Sequence, residues 1–278
     1  MIGLLLKRGA RLESALFSAV DNERKETIES LRGSGAGVPG GGVPSDGEKL
    51  PFSQLDMFEK GSAEVVKLLM KQGGNPDSQD ELGYSALMYA AFFGCSDIAK
   101  QLLERGANPY VQDDKGSTAL IMAVRNRHSS VVRVLLDYGV NPNSQDKLGQ
   151  TALMLHAAYY GNSDMAELLM KHGADPNIQD KDGITALMHA AINGRLGTAG
   201  LLLKNGADPN VQDANGRTAL MSATVNRDSD MIKILLDGGA DLNVKDDDGE
   251  TALSFARKGE FEEIVSLLEE AQRKKQAA

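Results

Sequence analysis

The stretch Asp213-Ala214-Asn215-Gly216-Arg217-Thr218-Ala219-Leu220, DANGRTAL, decides the fold, because close variants of it occur six times. Asp80, Asp113, Asp146, Asp180, Asp213 and Asp246 each open the phrase, at spacings of 33, 33, 34, 33 and 33 residues. Three positions on stands a glycine (Gly83, Gly116, Gly149, Gly183, Gly216, Gly249), followed by Ser or Thr, Ala and Leu. A period of this length marks stacked structural units. Within one unit, Asp-x-x-Gly is turn chemistry, the glycine supplying a positive φ. Thr118, Thr151, Thr185, Thr218 and Thr251 stand where a hydroxyl caps a helix.

Outward from the phrase, a short helix rich in Ala, Leu and Met follows, and Gly94, Gly161 and Gly194 end it in a left-handed turn. A second helix carries apolar residues at helical spacing, such as Ile98, Leu102 and Leu103, or Val131, Leu135 and Leu136. Gly-Ala-Asp/Asn then closes the unit. One unit cannot bury its apolar face alone, so neighbours must stack into a solenoid.

These residues resemble the ankyrin repeat family closely, from about Gly61 to Leu268: the Asp-x-x-Gly-x-Thr openings, the Ala-Leu and Ala-Ala of the first helix, and the Leu-Leu…Gly-Ala-Asp/Asn…Asn endings. The resemblance implies an all-α solenoid of about eight helix-turn-helix units with short β-hairpin-like finger loops. One departure is systematic. Ankyrin units typically read Thr-Pro-Leu-His, whereas this chain reads Thr-Ala-Leu-Met (Met154, Met188, Met221). Methionine there is a flexible apolar plug, so the stripe reads as core.

The chain reads as a single solenoid over 1–278, with regular units at 80–112, 113–145, 146–179, 180–212 and 213–245 and a charged capping unit at 246–278. Residues 47–79 form a degenerate unit, with first helix 49–60 and partner 63–72. Residues 1–46 are irregular: GLLLKRGA at 3–10 echoes GLLLKNGA at 200–207, so the chain starts at a second helix with a raw edge. A unit opening near Glu13 is interrupted by the Gly-rich loop 33–47, whose composition cannot pack.

The formal net charge of -9 disfavours a nucleic-acid or anionic-membrane surface. No run approaches a membrane span. Cys95 is the only cysteine, and MIGLLLKRGA is too short an apolar start for a signal, which together point to a reducing, cytoplasmic compartment. His128, His156, His172 and His189 lack metal-ligand spacing, and the recurrent aspartates are explained by turns. No nucleophile–base pair presents itself. The reading is therefore of no enzyme, no metal and no cofactor.

What remains is surface. In ankyrin solenoids the fingers and first helices line a concave groove where partners bind. The ends of successive first helices carry Phe92-Phe93, Arg125-Asn126, Tyr159-Tyr160, Ile192-Asn193 and Val225-Asn226. Aromatics and arginine are residue types that carry interface energy. Leu82, Tyr84, Leu148 and Ile184 add apolar surface on the fingers, unless Leu82 and Leu148 pack finger against finger, and one member of each aromatic pair has the alternative of packing on a neighbouring unit. The expected function is a monomeric, non-catalytic scaffold binding a protein in the groove. The alternative is a small-ligand or nucleotide sensor in which the aromatics stack a base and Arg125 and Arg127 pair a phosphate. The spacing of 34 places one additional residue at Leu155 or His156. It predicts a π-type turn near Met154–Ala158 with His156 pushed to the surface, or else an elastic drift of the solenoid.

Overall fold

The computed structural model describes residues 75–79, 82–160 and 163–277. The N-terminal readings (the second helix at 3–10, the unit from Glu13, loop 33–47 and the helices at 49–60 and 63–72) lie outside the described residues, as do Asp80 and Gly161. Among the described residues twelve helices follow one another in pairs: α1 Ala86–Phe93 and α2 Ser96–Glu104; α3 Ala119–Arg125 and α4 Ser129–Asp137; α5 Ala152–Tyr159 and α6 Ser163–Lys171; α7 Ala186–Ile192 and α8 Leu196–Lys204; α9 Ala219–Val225 and α10 Ser229–Asp237; α11 Ala252–Lys258 and α12 Glu262–Ala277. First helices pack on first helices and second on second, the arrangement of an ankyrin solenoid.

Each first helix starts where expected. Ser85, Thr118, Thr151, Thr185, Thr218 and Thr251 accept a hydrogen bond from the backbone N–H three residues on. The methionines are core: Met88, Met154, Met188 and Met221 are buried. Met88 and Met154 add something the sequence reading missed, since their sulfurs receive the cap N–H of Ser85 and Thr151 at 3.3 and 3.5 Å. The core is continued by Leu87, Leu120, Leu153, Leu187 and Leu220 on the first helices and by Leu102, Leu135, Leu169, Leu202 and Leu235 on the second.

The fingers are built from the repeated aspartate. Asp113 Oδ1 accepts from Lys115 N–H at 2.9 Å and from Ser117 N–H at 2.7 Å, and Asp146, Asp180, Asp213 and Asp246 repeat the pattern. Neighbouring fingers are joined backbone to backbone, as from Lys147 N–H to Lys115 O at 2.9 Å and from Lys181 N–H to Leu148 O at 3.0 Å. A side-chain ladder runs alongside. Gln79, Gln112, Gln145, Gln179 and Gln212 each donate from Nε2 to the backbone carbonyl of the next unit, ending at Lys245 O, over 2.8 to 3.1 Å.

The additional residue does not form a π-turn, and His156 is not at the surface. Helix α5 is α-helical from its cap, and His156 is 1% exposed. Counted from the cap, His156 fills the slot that Ala90, Ala123, Ala190, Ala223 and Ala256 fill elsewhere. Thr151 and Met154 pin the start of α5, and buried Leu153 and Ala157 fix its core face, so the surplus passes to the free C-terminal end. Nine residues after the cap, other units turn left-handed, at Gly94, Arg127, Gly194, Arg227 and Glu260; Tyr160 in that slot stays at φ -117. The two aromatic pairs are therefore out of register: Tyr159, not Tyr160, stands where Phe93 does.

Two half-buried histidines give the fold a pH dependence. His128 Nε2 lies 3.0 Å from Phe92 O in the preceding unit, and His189 Nε2 lies 3.6 Å from Asp180 Oδ2. Burial is the main cause holding both imidazoles below their ordinary pKa of 6.5, against the Phe92 carbonyl and the Asp180 carboxylate, which pull upward. The fold thus favours the neutral rings. Their contribution is complete above pH 6.5 and is lost as pH falls through the lowered folded values, because the unfolded chain takes up protons first. The melting temperature should drop as pH falls below about 6.5, and less steeply in a His128→Asn/His189→Gln variant. An unchanged slope would assign the drop to other groups.

Candidate functional site

The ends of the first helices are where the sequence reading looks for binding, and the structure sorts the residues found there. At the first described unit four rings gather. Tyr89, which the sequence reading left out, stacks on Phe93 with centroids 6.3 Å apart and meets Tyr84 edge-on at 5.5 Å, while Phe92 stands edge-on to Phe93 at 5.0 Å. Tyr84, Phe92 and Phe93 are half-buried, and Tyr89 is buried. The signal for Tyr89 was its place one turn before Phe93 on the same helix face.

Arg125 is committed to the finger. Its Nη2 donates to Asp146 Oδ2 at 3.0 Å and its Nη1 to Ser117 Oγ at 3.2 Å. Asn126 and Asn193 close their own helices, each donating from Nδ2 to the carbonyl four residues back, Met122 O and His189 O, at 2.8 Å. Ile184 is half-buried against the core. Tyr160 is turned back into the stack: its hydroxyl donates to Arg125 O, and the Arg127 guanidinium lies over its ring at 5.3 Å.

Tyr159 (63% exposed), Ile192 (45%) and Val225 (53%) stand out on three consecutive first helices, and Leu82 and Leu148 stand out on fingers. Arginines flank this row. Arg195 donates to Tyr159 O at 3.0 Å, and Arg227 lies 4.1 Å from the Phe261 ring centre. They sit three and two residues past the exposed apolar side chain of their own unit, Ile192 and Val225, a position to which composition gave no signal. Chemically the row can bury apolar side chains under a cationic rim.

Among known proteins, the family model described as ankyrin repeats matches in three copies, at residues 56–146, 138–213 and 198–277. The ankyrin repeat domain of Bcl-3, a member of the IkappaB protein family, is similar in structure with a TM-score of 0.70 and 28% identity, covering 77% of this chain and 95% of that one. An ankyrin repeat domain from Acinetobacter baumannii AYE is similar with a TM-score of 0.63 and 29% identity, covering 67% and 97%. No curated protein matches the chain. With its finger aspartates, its capped helix pairs and a family model spanning most of its length, the chain belongs to the ankyrin repeat family.

Proposed function

We propose that the chain is a non-catalytic scaffold that binds a partner protein along the groove formed by its first helices and fingers. Ankyrin repeat domains are in general protein-interaction modules. The observation that carries the reading is the exposed row Tyr159, Ile192 and Val225, each the last residue of its first helix in three consecutive units. Monomers leave such contiguous apolar surface uncovered chiefly where something binds. Among the described residues no helix is long and apolar enough to cross a membrane, and Cys95 is buried; a monomer at work inside the cell fits this reading.

The nucleotide alternative draws less support. Arg125 is held by Asp146, and the cavity beside Arg127, about 180 Å³, is too small for a nucleotide. Quantitative pull-down should separate a groove partner from background. Tyr159→Ala and Ile192→Ala, both at exposed positions, should each weaken binding about tenfold while leaving the melting temperature within a few degrees. Retention of the partner at wild-type strength by the double variant would end the groove reading.

A further inference from the structure

The unit with the additional residue also has a cavity. It measures about 180 Å³ and is lined by Val124, Arg127, Ser129, His156, Tyr160 and Met165. It therefore lies where the α3–α4 turn meets α5 and α6 of the next unit. At roughly 30 Å³ per water it has room for about six waters, whereas small-molecule sites begin near 300 Å³. That is space for one polar side chain, not for a nucleotide. Its polar walls are a guanidinium, a hydroxyl, an imidazole and a phenol, and no carboxylate is among the described residues that line it. Arg127 is exposed, at φ 62. The Tyr160 ring is 6.1 Å from that of Tyr159, the most exposed aromatic of the described residues, so the cavity adjoins the apolar row.

We infer that this cavity anchors one carboxylate side chain of a partner's linear segment, whose apolar side chains continue along Tyr159, Ile192 and Val225. The inference rests on the groove reading above. An apolar group in the cavity would strip water from Arg127 without replacing its hydrogen bonds, and a lysine would be repelled. A carboxylate gains charge-assisted bonds instead. Arg195 and Arg227 extend the cationic rim beside the row, although the whole chain is acidic. The anchor also answers a problem of repetitive grooves. Units of like shape let a segment slip by one repeat, and only one described unit places a histidine in the alanine slot and a cavity beside it. A single anchor fixes the register.

The test is selection of a random 12-residue peptide library, displayed on phage, against the full chain. Wild type should enrich peptides with Asp or Glu next to apolar residues. One such peptide, measured by fluorescence anisotropy, should bind Arg127→Glu about 10- to 100-fold more weakly. Converting its carboxylate to an amide should cost as much, and the two losses should not add. Glu260 occupies the equivalent backbone slot at φ 55, so Arg127→Glu is compatible with the fold. No enrichment, enrichment without acidic residues, or equal binding to Arg127→Glu overturns the inference. Acid-free peptides that still require Tyr159 and Ile192 would sink the anchor and spare the groove. Peptides indifferent to Tyr159→Ala and Ile192→Ala would sink both.

Discussion

Gly116→Ala is expected to destabilise the protein by about 3–4 kcal/mol, of which roughly 1–2 is the left-handed backbone and the rest steric overlap. Gly116 sits at φ +78, and a Cβ there would lie 2.6 Å from Lys147 N and 3.0 Å from Lys147 Cγ. Backbone atoms cannot swing aside as a long side chain does. The contact is also the one that joins two fingers, Lys147 N–H to Lys115 O. The informative control is Gly106→Ala. Gly106 has φ +83 and nothing within 4 Å of the added carbon, so only the same conformational cost, roughly 1–2 kcal/mol, should appear. Urea unfolding followed by circular dichroism gives the two values. Hydrogen exchange at the Lys147 amide should show protection lost first at that finger. Equal costs for the two variants would mean that the fingers are not closely packed.

Asp146→Ala should cost about 3 kcal/mol, in the lower part of the range for breaking a buried ion pair. The Asp146 side chain is only 2% exposed, and it serves three donors at once: Leu148 N–H at 2.9 Å, Gln150 N–H at 3.0 Å and Arg125 Nη2 at 3.0 Å. Alanine leaves all three to find water. Arg125→Ala should cost less, about 1–1.5 kcal/mol, because its side chain is one-third exposed and Asp146 keeps both backbone donors. If the two truncations cost the same, the carboxylate's service to the turn is negligible and its role is only to hold Arg125.

The fold was legible because each unit repeats local chemistry that has one meaning. Asp-x-x-Gly gives a turn with positive φ at Gly83 through Gly249, and Ser or Thr three residues before a leucine or methionine run gives a capped helix. What escaped notice depended on partners 33 to 35 residues away. Gln112 reads as an ordinary polar loop residue until Gln145 O is placed beside it. Tyr160 reads as a twin of Phe93, yet its hydroxyl finds the Arg125 carbonyl of the preceding unit. The fate of the additional residue in the unit 146–179 was decided by where α5 is pinned. Sequence shows that Thr151 caps, but not that the far end of the helix yields before its core face does. The groove row was legible as a set of positions; the exposure that separates Tyr159 from Tyr160 required the packing.

The glutamine ladder has a direction. Every amide donates toward the higher residue numbers, and Gln112, Gln145, Gln179 and Gln212 each both receive a bond and pass one on. At position 245 the series holds lysine, whose carbonyl accepts from Gln212 but whose side chain has no amide in the reach and geometry of glutamine. The next finger adds exposed Asp247 and Asp248. A second copy laid end to end against this face would meet a relay with no runner to hand on to and a pair of like charges besides. The amide relay thus stops at Lys245, and carrying it one step further should begin with Lys245→Gln.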